Sequence, residues 1–467
     1  MKIIDANDTK KKIQENIVNY LKKYGFVFSN SEIYGGLANT WDFGPLGTLL
    51  KHNIKKLWWN QFITNDPNAV GVDTAVISNP SIWKASGHLS NFSDPLIECK
   101  NCHNRFRADK LIEESIKDFF VDEQSSFEEL EKIIKEHKIR CPICGKIDWT
   151  SINQFNLMFQ VHQGILSNDA TVNYLRPETA QGIFINFANI QRSLRLKIPF
   201  AVGQIGKSFR NEITPGNFIF RTREFEQMEL EYFVLPKDVN KIFDEQLEKI
   251  NNFLIDILMF DKNNLRLHEH SKDELSHYSA RTIDIEYRFP HGWKELWGIA
   301  NRTDYDLRSH MQHSKTNLTY LDPISNKKII PYVIEPSIGV ERLFYALIVD
   351  KYEEEILEDG EIREVLRLSY KLAPFKLAIL PLVNKLGSEA YQIYQSFRIN
   401  GLEVTYDASG SIGKRYRRQD AIGTPYCLTY DFESQEKKTV TIRYRDSMKQ
   451  ERIPIDEIKE FLRKAND

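Results

Sequence analysis

The sequence predicts an α+β protein with an antiparallel sheet flanked by helices, a cysteine-bearing insertion and a C-terminal α/β domain. A proline-glycine-asparagine turn signal separates two strand patterns, 203–212 and 221–233, which indicates a β-hairpin. Residues 333–337 have the pattern of a buried strand that runs into a helix beginning near Gly339. After Leu372, strand and helix patterns alternate, as is typical of a small mixed α/β domain.

Length and composition indicate a globular protein of two or three domains. The chain has 467 residues, 41% of them hydrophobic and 27% charged, with a formal net charge of −2 and a pI of about 6.6. A nearly neutral chain restricts any nucleic-acid surface to a local basic patch. No run approaches the ~18 apolar residues of a membrane span, and the first residues lack the apolar core of a leader peptide. We therefore expect a cytoplasmic protein with no membrane contact.

Helix and strand patterns follow in order along the chain. An amphipathic helix over 9–25 precedes a glycine-rich loop over 35–47. A second amphipathic helix over 47–64 leads to a strand over 71–80 that ends at Pro80. Beyond an insertion, the patterns predict strands at 155–161, 283–289 and 295–300, and helices at 239–260 and 350–368.

Charged and aromatic residues gather on one predicted face of the hairpin. Side chains alternate along a strand, so Arg210 and Glu212 point the same way. By the same parity, Arg221, Phe225 and Glu229 share a face of the returning strand. Guanidinium groups bind phosphates, a ring stacks on a base, and a carboxylate accepts from an exocyclic amine. The face therefore suits ATP, and a salt-bridged surface hairpin is the alternative.

Two CxxC pairs indicate a metal site in the insertion. Cys99 and Cys102 form the first pair, Cys141 and Cys144 form the second, and 38 residues separate the two pairs. Four thiolates on two such turns suit a closed, structural zinc site, with metal-free thiols as the alternative. Disulfides are rare in cytosolic proteins. Cys427, in a predicted buried strand, is interpreted as a small core residue.

A basic cluster lies in the C-terminal domain. The segment 413–420 brings four cations close together, with Tyr416 among them. Such a cluster suits contacts to RNA phosphates and bases. A solvated helix end is the alternative, because acidic residues lie nearby. The candidate RNA-binding residues are Lys414, Arg415, Arg417 and Arg418.

Taken together, these segments resemble a known family. The hairpin, and the later strand-to-helix segment with Arg342 in the first helical turn, resemble motifs 2 and 3 of class II aminoacyl-tRNA synthetases. Further segments resemble the dimeric bacterial and eukaryotic type of glycyl-tRNA synthetase from near residue 8 almost to the end of the chain. These segments are 30–47, 71–88, 174–184 and 295–307.

The resemblance implies an organisation and a set of partners. It implies a class II catalytic core at 1–96 and 151–372, a zinc-binding insertion at 97–150 and an anticodon-binding domain at 373–467. The helix and strand within 46–80 would form the interface of a homodimer, although an ordinary core helix and strand would give the same pattern. The implied substrates are ATP with Mg²⁺, glycine and tRNA(Gly), and the implied cofactors are Mg²⁺ and structural Zn²⁺.

The resemblance also implies roles in the ATP site. Arg210 would hold the α-phosphate and the glycine carboxylate, and Arg342 would cover adenine and reach the γ-phosphate, so these two would be catalytic. Phe225 would stack on the other face of adenine, and Glu212 would read its amine. Glu295 would contact Mg²⁺. The implied ATP-binding residues are Arg210, Asn211, Glu212, Phe220, Arg221, Phe225, Glu295, Leu296, Gly339 and Arg342.

Glycine has no side chain, so its site must hold the ammonium group and exclude anything larger. The resemblance places three carboxylates around that ammonium, where charge-assisted hydrogen bonds would form. Arg107 and Arg302 are further candidates, each with a structural salt bridge as the alternative. The implied substrate-binding residues are Arg107, Glu178, Phe225, Glu229, Arg302, Glu335, Ser337 and Gly339.

Two other functions remain open from the sequence. A synthetase of the same subclass for threonine, proline or histidine would share the hairpin and the helix start. A non-catalytic descendant could keep the fold only to bind nucleic acid, although this chain retains the residues implied for ATP. The spacing of the histidines at 268–277 fits no compact metal site. The sequence assigns no role to Glu341.

Overall fold

The computed structural model describes residues 6–116, 119, 121, 125–164, 171–213 and 215–466. The first part of the chain supplies a long helix, a short strand pair and the second helix of the core. Its elements are α1 (Ala6–Lys23), β1 (Val27–Ser29), β2 (Trp41–Phe43), α2 (Pro45–Trp59), β3 (Ala69–Gly71), β4 (Ile77–Ser78), α3 (Pro80–Ala85) and α4 (His88–Asn91).

The cysteine-bearing segment forms a small three-stranded sheet with two helices beside it. Strand β5 pairs antiparallel with both β6 and β7, and the helices bury their apolar side chains against the sheet. Helix α6 begins with a capping box between Ser126 and Glu129. The elements are β5 (Ser93–Glu98), β6 (Arg105–Arg107), α5 (Ala108–Ser115), α6 (Phe127–Glu136) and β7 (Asn153–Asn156).

The middle of the chain builds the main sheet. Its elements are β8 (Gln160–Gln163), β9 (Thr171–Leu175), α7 (Ala180–Leu194), β10 (Phe200–Phe209), β11 (Glu224–Val234), α8 (Val239–Asn252), β12 (Leu265–Glu269), β13 (Arg281–Phe289), β14 (Gly292–Thr303) and α9 (Tyr305–Ser314). They continue with β15 (Tyr320–Leu321), β16 (Lys328–Ile329), β17 (Tyr332–Gly339), α10 (Val340–Lys351), β18 (Tyr352–Ile356) and β19 (Ile362–Leu366).

Within the described residues the main sheet has seven strands in the order β12-β13-β14-β17-β11-β10-β3. All neighbours are antiparallel except β10 and β3. Because side chains alternate along β11, Met228 and Leu230 face the core formed with α2, α8 and α10, whereas Phe233 faces α7 and α9. Phe225 and Glu229 share the parity of Phe233, so the candidate site lies on the α7 side of the sheet.

The C-terminal domain is a five-stranded sheet in the order β21-β20-β22-β23-β24, with a parallel half and an antiparallel half. Helices α11 and α14 pack on one face and α12 on the other. Its elements are β20 (Leu377–Pro381), α11 (Gly387–Ile399), β21 (Val404–Tyr406), α12 (Ile412–Ala421), β22 (Tyr426–Tyr430), α13 (Phe432–Lys437), β23 (Thr439–Tyr444), β24 (Gln450–Pro454) and α14 (Ile458–Asn466).

A buried ion cluster joins the β18–β19 hairpin to the C-terminal domain. Arg363 on β19 is 1% exposed, and its guanidinium bonds Asp420 on α12 at 2.9 Å and Glu355 on β18 at 2.7 Å. Asp420 also accepts two hydrogen bonds from Arg443, at 2.7 and 2.9 Å. On the same side, the Tyr20 hydroxyl of α1 donates to the Ala421 carbonyl. The C-terminal domain is therefore bonded to two elements that precede it.

Two predicted elements are wrong. The helix predicted over 350–368 is the hairpin of β18 and β19, with a turn in which Gly360 has φ 82°. An Asp-Gly pair is a strong hairpin signal that outweighs the helix preference of the flanking glutamates. The strand predicted over 71–80 contains only β4 beyond residue 71, and Pro80 begins α3, capped by the Asn79 side chain.

Other boundaries differ from the predicted ones. The strand expected over 155–161 is divided between β7 and β8, because residues 157–159 leave the sheet. The loop expected over 35–47 contains β2, which pairs with β1. Among the described residues no helix is long and apolar enough to cross a membrane.

Candidate active site

The hairpin of β10 and β11 and the start of α10 enclose one cleft. The cleft is also lined by Ser337, Gln227 and Glu341. Strand β10 ends at Phe209, one residue before Arg210, so the hairpin loop carries the arginine and not the strand itself. The structure brings nine of the ten predicted ATP residues together here: Arg210, Glu212, Phe220, Arg221, Phe225, Glu295, Leu296, Gly339 and Arg342.

Asn211, the tenth predicted residue, is not in the cleft lining. Its backbone N–H donates to the Leu157 carbonyl at 2.8 Å, which ties the hairpin loop to the segment after β7. The loop conformation also carries Glu212 and Arg221 outside the strands, so alternation along a strand does not set their directions. They face each other nonetheless, with Arg221 Nη1 at 3.6 Å from Glu212 Oε2.

Arg210 is held at the mouth of the cleft by three neighbours. Its Nε donates to the Pro177 carbonyl at 3.0 Å. Its guanidinium lies 5.3 Å from the centroid of the Phe225 ring and 5.3 Å from that of Phe92. One edge of the guanidinium is thus fixed, and its Nη groups remain available to an anion.

Arg342 and Glu295 pair across the far end of the cleft. Arg342 Nη1 lies 2.8 Å from Glu295 Oε2, and the guanidinium stacks over the Phe220 ring at 4.5 Å. Gly339 is the N-cap of α10, so Arg342 is in the first turn as predicted. Burial alone would raise the pKa of the Glu295 carboxyl, but the charges of Arg342 and Arg210 lower it.

Asp284 on β13 lies beside Glu295, and no sequence pattern had pointed to it. A Cβ atom at Gly298 would lie 3.5 Å from Asp284 Oδ1 and 3.5 Å from Glu295 Oε1, so both carboxylates flank the bare glycine. Oxygen atoms converging in this way fit Mg²⁺, which takes few protein carboxylates and keeps phosphate and water oxygens. The donor set therefore fits a magnesium ion carried in with a nucleotide.

Further along the same sheet face lies a buried pocket of carboxylates. Arg302 on β14 is 2% exposed and is the central cation of this pocket. Its Nε and Nη2 donate to Asp306 at 2.8 and 2.9 Å, and its Nη1 donates to Glu335 at 2.7 Å. The structural salt bridge and the pocket position proposed for Arg302 are thus both present.

Glu229 is fixed by four hydrogen bonds. Its Oε1 accepts from Ser337 Oγ at 2.8 Å and from Gln227 Nε2 at 2.7 Å. Its Oε2 accepts from the Thr179 backbone N–H at 3.0 Å and from the Thr179 hydroxyl. Since Ser337 and Gln227 also line the cleft, Glu229 lies where the cleft and the carboxylate pocket meet.

Glu178 completes the pocket from the loop before α7. Its Oε2 lies 3.4 Å from His88 Nε2, and its Oε1 accepts from Gln181 at 2.9 Å. Burial would raise its pKa, but the charge and hydrogen bond of His88, the charge of Arg302 and the Gln181 hydrogen bond lower it strongly. Glu178 is therefore the member of the pocket that stays ionised most readily.

Glu335 titrates in the opposite direction. Burial is the largest cause, and with the nearby carboxylates Glu229, Glu178 and Asp306 it outweighs the charge of Arg302 and raises the pKa of Glu335 to about 8. The pocket holds more carboxylates than cations among the described residues. It is suited to a small cationic group.

Arg107 lies outside this pocket. Its guanidinium bonds Asp109 at 2.7 Å and Asp94 at 3.1 Å. Its charge acts on Glu212 and on Arg221, which places it near the cleft and not beside the carboxylate pocket. The structural salt bridge is the interpretation that these contacts favour.

The four cysteines of the two CxxC pairs converge. Their Sγ atoms all lie within 4.8 Å of one another, with Cys99 and Cys144 at 3.5 Å and Cys102 and Cys141 at 3.6 Å. Disulfide sulfurs are about 2.05 Å apart. Thiolates around zinc at about 2.3 Å in a tetrahedron would be about 3.8 Å apart, so the donor set fits zinc. Cys427 lies elsewhere, buried in the core of the C-terminal domain.

The basic cluster on α12 separates into surface and buried parts. Arg415 is 2% exposed, and its guanidinium donates to the backbone carbonyls of Pro381, Ala408 and Gly410. Its assignment as a tRNA contact therefore conflicts with the structure, because its side chain faces inward. Outside the core, Lys414 is exposed, Arg417 is half-exposed, and Arg418 bonds Asp407.

Several residues of the site were missed from the sequence. Asp306 lies four positions after Arg302, but Arg302 is on β14 and Asp306 is in the first turn of α9, so no helical spacing connects the pair. Gln181 bridges Glu178 and Asp306 at 2.9 Å to each. Lys51 on α2 bonds Glu341 at 2.6 Å, and Glu341 Oε2 accepts from the Glu226 backbone N–H. No local signal in the sequence connects Lys51 with Glu341.

Three family models match this chain. The tRNA synthetase class II core domain (G, H, P, S and T) matches residues 161–352. The anticodon binding domain matches residues 376–465. The glycyl-tRNA synthetase insertion domain 1 matches residues 120–157.

Curated relatives match over nearly the whole chain. The glycine–tRNA ligase of Ureaplasma parvum serovar 3 is 57% identical over 97% of this chain and 96% of its own length. That of Geobacillus thermodenitrificans is 53% identical over 99% of both chains. A crystal structure titled as the RNA binding domain of threonyl-tRNA synthetase from Cryptosporidium parvum Iowa II aligns with a TM-score of 0.65 at 16% identity. It covers 96% of this chain and 98% of that chain, and it supports the fold alone.

Proposed function

This chain belongs to the glycine–tRNA ligase family of class II aminoacyl-tRNA synthetases, and we propose that its cleft and carboxylate pocket together activate glycine with ATP. The product, glycyl-adenylate, then donates its glycyl group to the 3′ end of tRNA(Gly). The observation that carries the assignment of the site is Glu229, whose hydrogen-bond partners Ser337 and Gln227 line the ATP cleft. Through them the nucleotide and the amino acid would meet.

ATP would lie across the hairpin. Phe225 and the Arg342 guanidinium would cover the two faces of adenine, and Glu212 would accept from its amine. Arg210 would hold the α-phosphate, and Arg221 and Arg342 would reach the γ-phosphate. The fixed Nε of Arg210 supports this role, since a guanidinium that is already oriented loses little freedom on binding.

Glu295, with Asp284 beside it, would hold Mg²⁺. The ion supplies positive charge to the phosphate oxygens when it is bound. This chain's own residues place the reactants in line and supply positive charge that stabilises the phosphates. The glycine carboxylate is already a nucleophile at neutral pH, so its attack on the α-phosphorus needs no general base.

Glycine would be recognised by its ammonium. Glu178, Glu229 and Glu335 offer carboxylate oxygens from three different elements, and Ser337 orients one of them. The carboxylates are crowded by their own partners, Thr179, Gln181 and Arg302. A larger amino acid would have to displace a hydrogen-bonded carboxylate, which supports rejection of alanine by exclusion.

The C-terminal domain would bind the anticodon end of tRNA(Gly). Lys414, Arg417 and Arg418 are the cations of α12 that are exposed or partly exposed, and Arg418 pairs with an acid that phosphate could replace. Arg415 is left out of this set because its guanidinium is used inside the domain. We retain the division into a core of 1–96 and 151–372, an insertion of 97–150 and an anticodon domain of 373–467.

The proposed function extends to a metal ion, an oligomeric state and a cellular location. The four converging cysteines support a structural zinc ion, bound by Cys99, Cys102, Cys141 and Cys144. The segment 46–80 supports a homodimer, because β3 is an edge strand of the main sheet and Ile77 is 53% exposed. We place the enzyme in the cytoplasm, where tRNA is charged.

The test is ATP–pyrophosphate exchange with a panel of amino acids. Purified protein should exchange pyrophosphate into ATP with glycine and only weakly with alanine, serine, threonine, proline or histidine. Exchange with threonine, proline or histidine would point to another member of the subclass. Protein that binds tRNA but gives no exchange with any amino acid would point to a non-catalytic descendant.

A further inference from the structure

His270 lies next to the proposed magnesium site, in the histidine-bearing segment to which the activation reaction assigns no role. It follows strand β12 directly, and its backbone N–H donates to the Thr282 carbonyl of β13 at 3.0 Å. Its ring Nε2 lies 2.9 Å from Asp284 Oδ2. An ionised carboxylate can only accept, so the ring is the donor in this hydrogen bond.

The two carboxylates of the magnesium site are each held through one oxygen. Glu295 Oε2 pairs with Arg342 Nη1 at 2.8 Å, and Asp284 Oδ2 pairs with His270. Their other oxygens, Asp284 Oδ1 and Glu295 Oε1, flank Gly298, which stands opposite Asp284 in the sheet. Neither of these two oxygens accepts a hydrogen bond from a residue that the structure describes. They are therefore the oxygens available to a cation.

We propose that His270 is a positioning residue for the magnesium site. By binding Oδ2 of Asp284, it holds Oδ1 toward the Mg²⁺ ion that enters with ATP. Because Mg²⁺ takes oxygen ligands, the ring acts through Asp284 and not as a ligand itself. The inference rests on the proposed function, since it requires Mg²⁺ to bind beside Glu295 and Asp284.

The physical reason is the rotational freedom of a short carboxylate. The last torsion of an aspartate side chain has a broad minimum, so an unsupported carboxylate loses freedom when it binds a metal. His270 removes that freedom in advance, as Arg342 does for Glu295. The ring is itself supported, because Nδ1 lies 3.4 Å from the Glu274 carbonyl oxygen and the His268 ring centroid is 5.4 Å away. Partners of this kind contribute about 10–100-fold to metal affinity.

The alternative is that His270 only fastens the loop after β12 to the sheet. The same loop has a second fastening in the Glu274 carboxylate, which accepts from the Ser271 backbone N–H at 2.8 Å and lies 3.4 Å from His268 Nε2. Neither of those contacts includes Asp284. Glu274→Ala would therefore loosen the loop without releasing the carboxylate that faces the metal, and it is the matched control.

The experiment titrates Mn²⁺, in place of Mg²⁺, into the full-length protein held in excess over α,β-methylene ATP, without glycine. The electron paramagnetic resonance signal of free Mn²⁺ gives the dissociation constant. His270→Phe keeps a ring but removes the donor, and we expect about tenfold weaker Mn²⁺ binding. His270→Gln places an amide N–H near the position of Nε2 and should stay within about threefold of wild type. Glu274→Ala should also keep its Mn²⁺ affinity, and no variant should alter nucleotide binding in EDTA.

Equal Mn²⁺ affinity in wild type and folded His270→Phe would overturn the inference. Equal weakening in Glu274→Ala and His270→Phe would also overturn it, because the ring would then only hold the loop. Should His270→Phe fail to fold, His270→Asn takes its place, since that amide is too short to reach Asp284, and unchanged affinity again overturns the inference. A wild-type complex that binds Mn²⁺ no better than the nucleotide alone would overturn the magnesium assignment in the proposed function itself.

Discussion

Lys51 Nζ lies 2.6 Å from a carboxylate oxygen of Glu341, although the two residues are 290 positions apart in the chain. Lys51 projects from α2, and Glu341 is in the first turn of α10, one residue before Arg342. The other oxygen of Glu341 accepts from the Glu226 backbone N–H on β11. Glu341 thus fixes the start of α10 to the hairpin of β10 and β11, which gives a structural role to a residue that the sequence left unassigned.

Lys51→Met should destabilise the core. Lys51 is 8% exposed and lies 2.6 Å from both Glu226 and Glu341, so its removal takes the cation from buried Glu341 and leaves Glu226 with Lys55, 2.9 Å away. Breaking a buried pair in this way costs about 3 kcal/mol of unfolding free energy. Chemical denaturation measures the loss. The matched control is Lys56→Met on the exposed face of α2, which should stay within about 0.5 kcal/mol of wild type, and equal losses in both variants would contradict the role of the pair.

Arg210→Ala should reduce glycine-dependent ATP–pyrophosphate exchange by about 10²–10³-fold, the usual effect of removing one oriented donor from a developing charge. In the wild type its Nε is bonded to the Pro177 carbonyl, so the groups that face the cleft are the Nη groups, and their removal accounts for the effect. Arg288→Ala, on an exposed position of β13, is the control. A near-normal rate in Arg210→Ala would place the α-phosphate elsewhere.

Cys141→Ser should remove the metal while sparing activation. Metal analysis of wild type should find about one zinc per chain, and the variant should lose most of it. Because the cysteines lie in the insertion, protease should cut the insertion of the variant much faster than that of wild type. The rate of glycine activation should change less. Cys427→Ala, which removes a thiol outside the cluster, should keep its zinc. Metal-free wild-type protein with a protease-resistant insertion would contradict the zinc site.

Charge reversal at Lys414 and Arg417 should raise the KM for tRNA(Gly) and weaken the dependence of that KM on salt. The slope of log KM against log salt concentration should change by about one for each phosphate that the protein no longer neutralises. The KM values for ATP and glycine should stay nearly constant, because those sites lie on another domain. Steady-state aminoacylation at several salt concentrations provides the measurement.

Arg415→Met is the comparison for that experiment. It removes a cation from the same helix, but Arg415 is 2% exposed and bonds backbone carbonyls. The substitution should lower the melting temperature of the protein and leave the salt dependence of the KM for tRNA(Gly) unchanged. A salt slope that flattens in folded Arg415→Met, and not in the reversed variants, would mean that tRNA approaches this domain differently.

Ile77→Asp should weaken self-association. Ile77 is 53% exposed on β4, within the segment expected to meet a second copy. A buried aspartate would be unfavourable in such an interface. Sedimentation analysis should find a dimer for wild type and mostly monomer for the variant. Ile324→Asp, at a residue 94% exposed on a loop, should stay dimeric, and a monomeric wild type would contradict the proposal.

The sequence predicted which residues meet in this cleft better than it predicted some of the surrounding structure. Nine of the residues expected to bind ATP line one cleft, because local patterns predicted both the hairpin and the start of α10. The β18–β19 hairpin was missed because a run of glutamates has a helical preference that its Asp-Gly turn and its pairing override. Local sequence patterns predict helices and strands, but they do not predict the contacts between them.

Arg415 and Lys51 illustrate that limit. Both are cations in amphipathic helices, and a cation in such a helix is expected to face solvent. Each is buried because oxygen atoms from distant segments surround it: three carbonyls at Arg415, and Glu226 and Glu341 at Lys51. These partners come together only in the folded chain, so the local spacing of residues in the sequence does not predict them.

The contacts of Arg363 make the anticodon domain part of the core's folding unit. Removing residues 373–467 would take away Asp420 and leave Arg363, which is 1% exposed, with Glu355 as its remaining carboxylate partner among the described residues. It would also remove the carbonyl that Tyr20 donates to. A truncated chain would therefore report damage at the domain boundary as well as loss of tRNA binding. We expect the core and the anticodon domain to unfold in a single thermal transition. Point variants, and not deletion of the domain, are therefore the way to separate their functions.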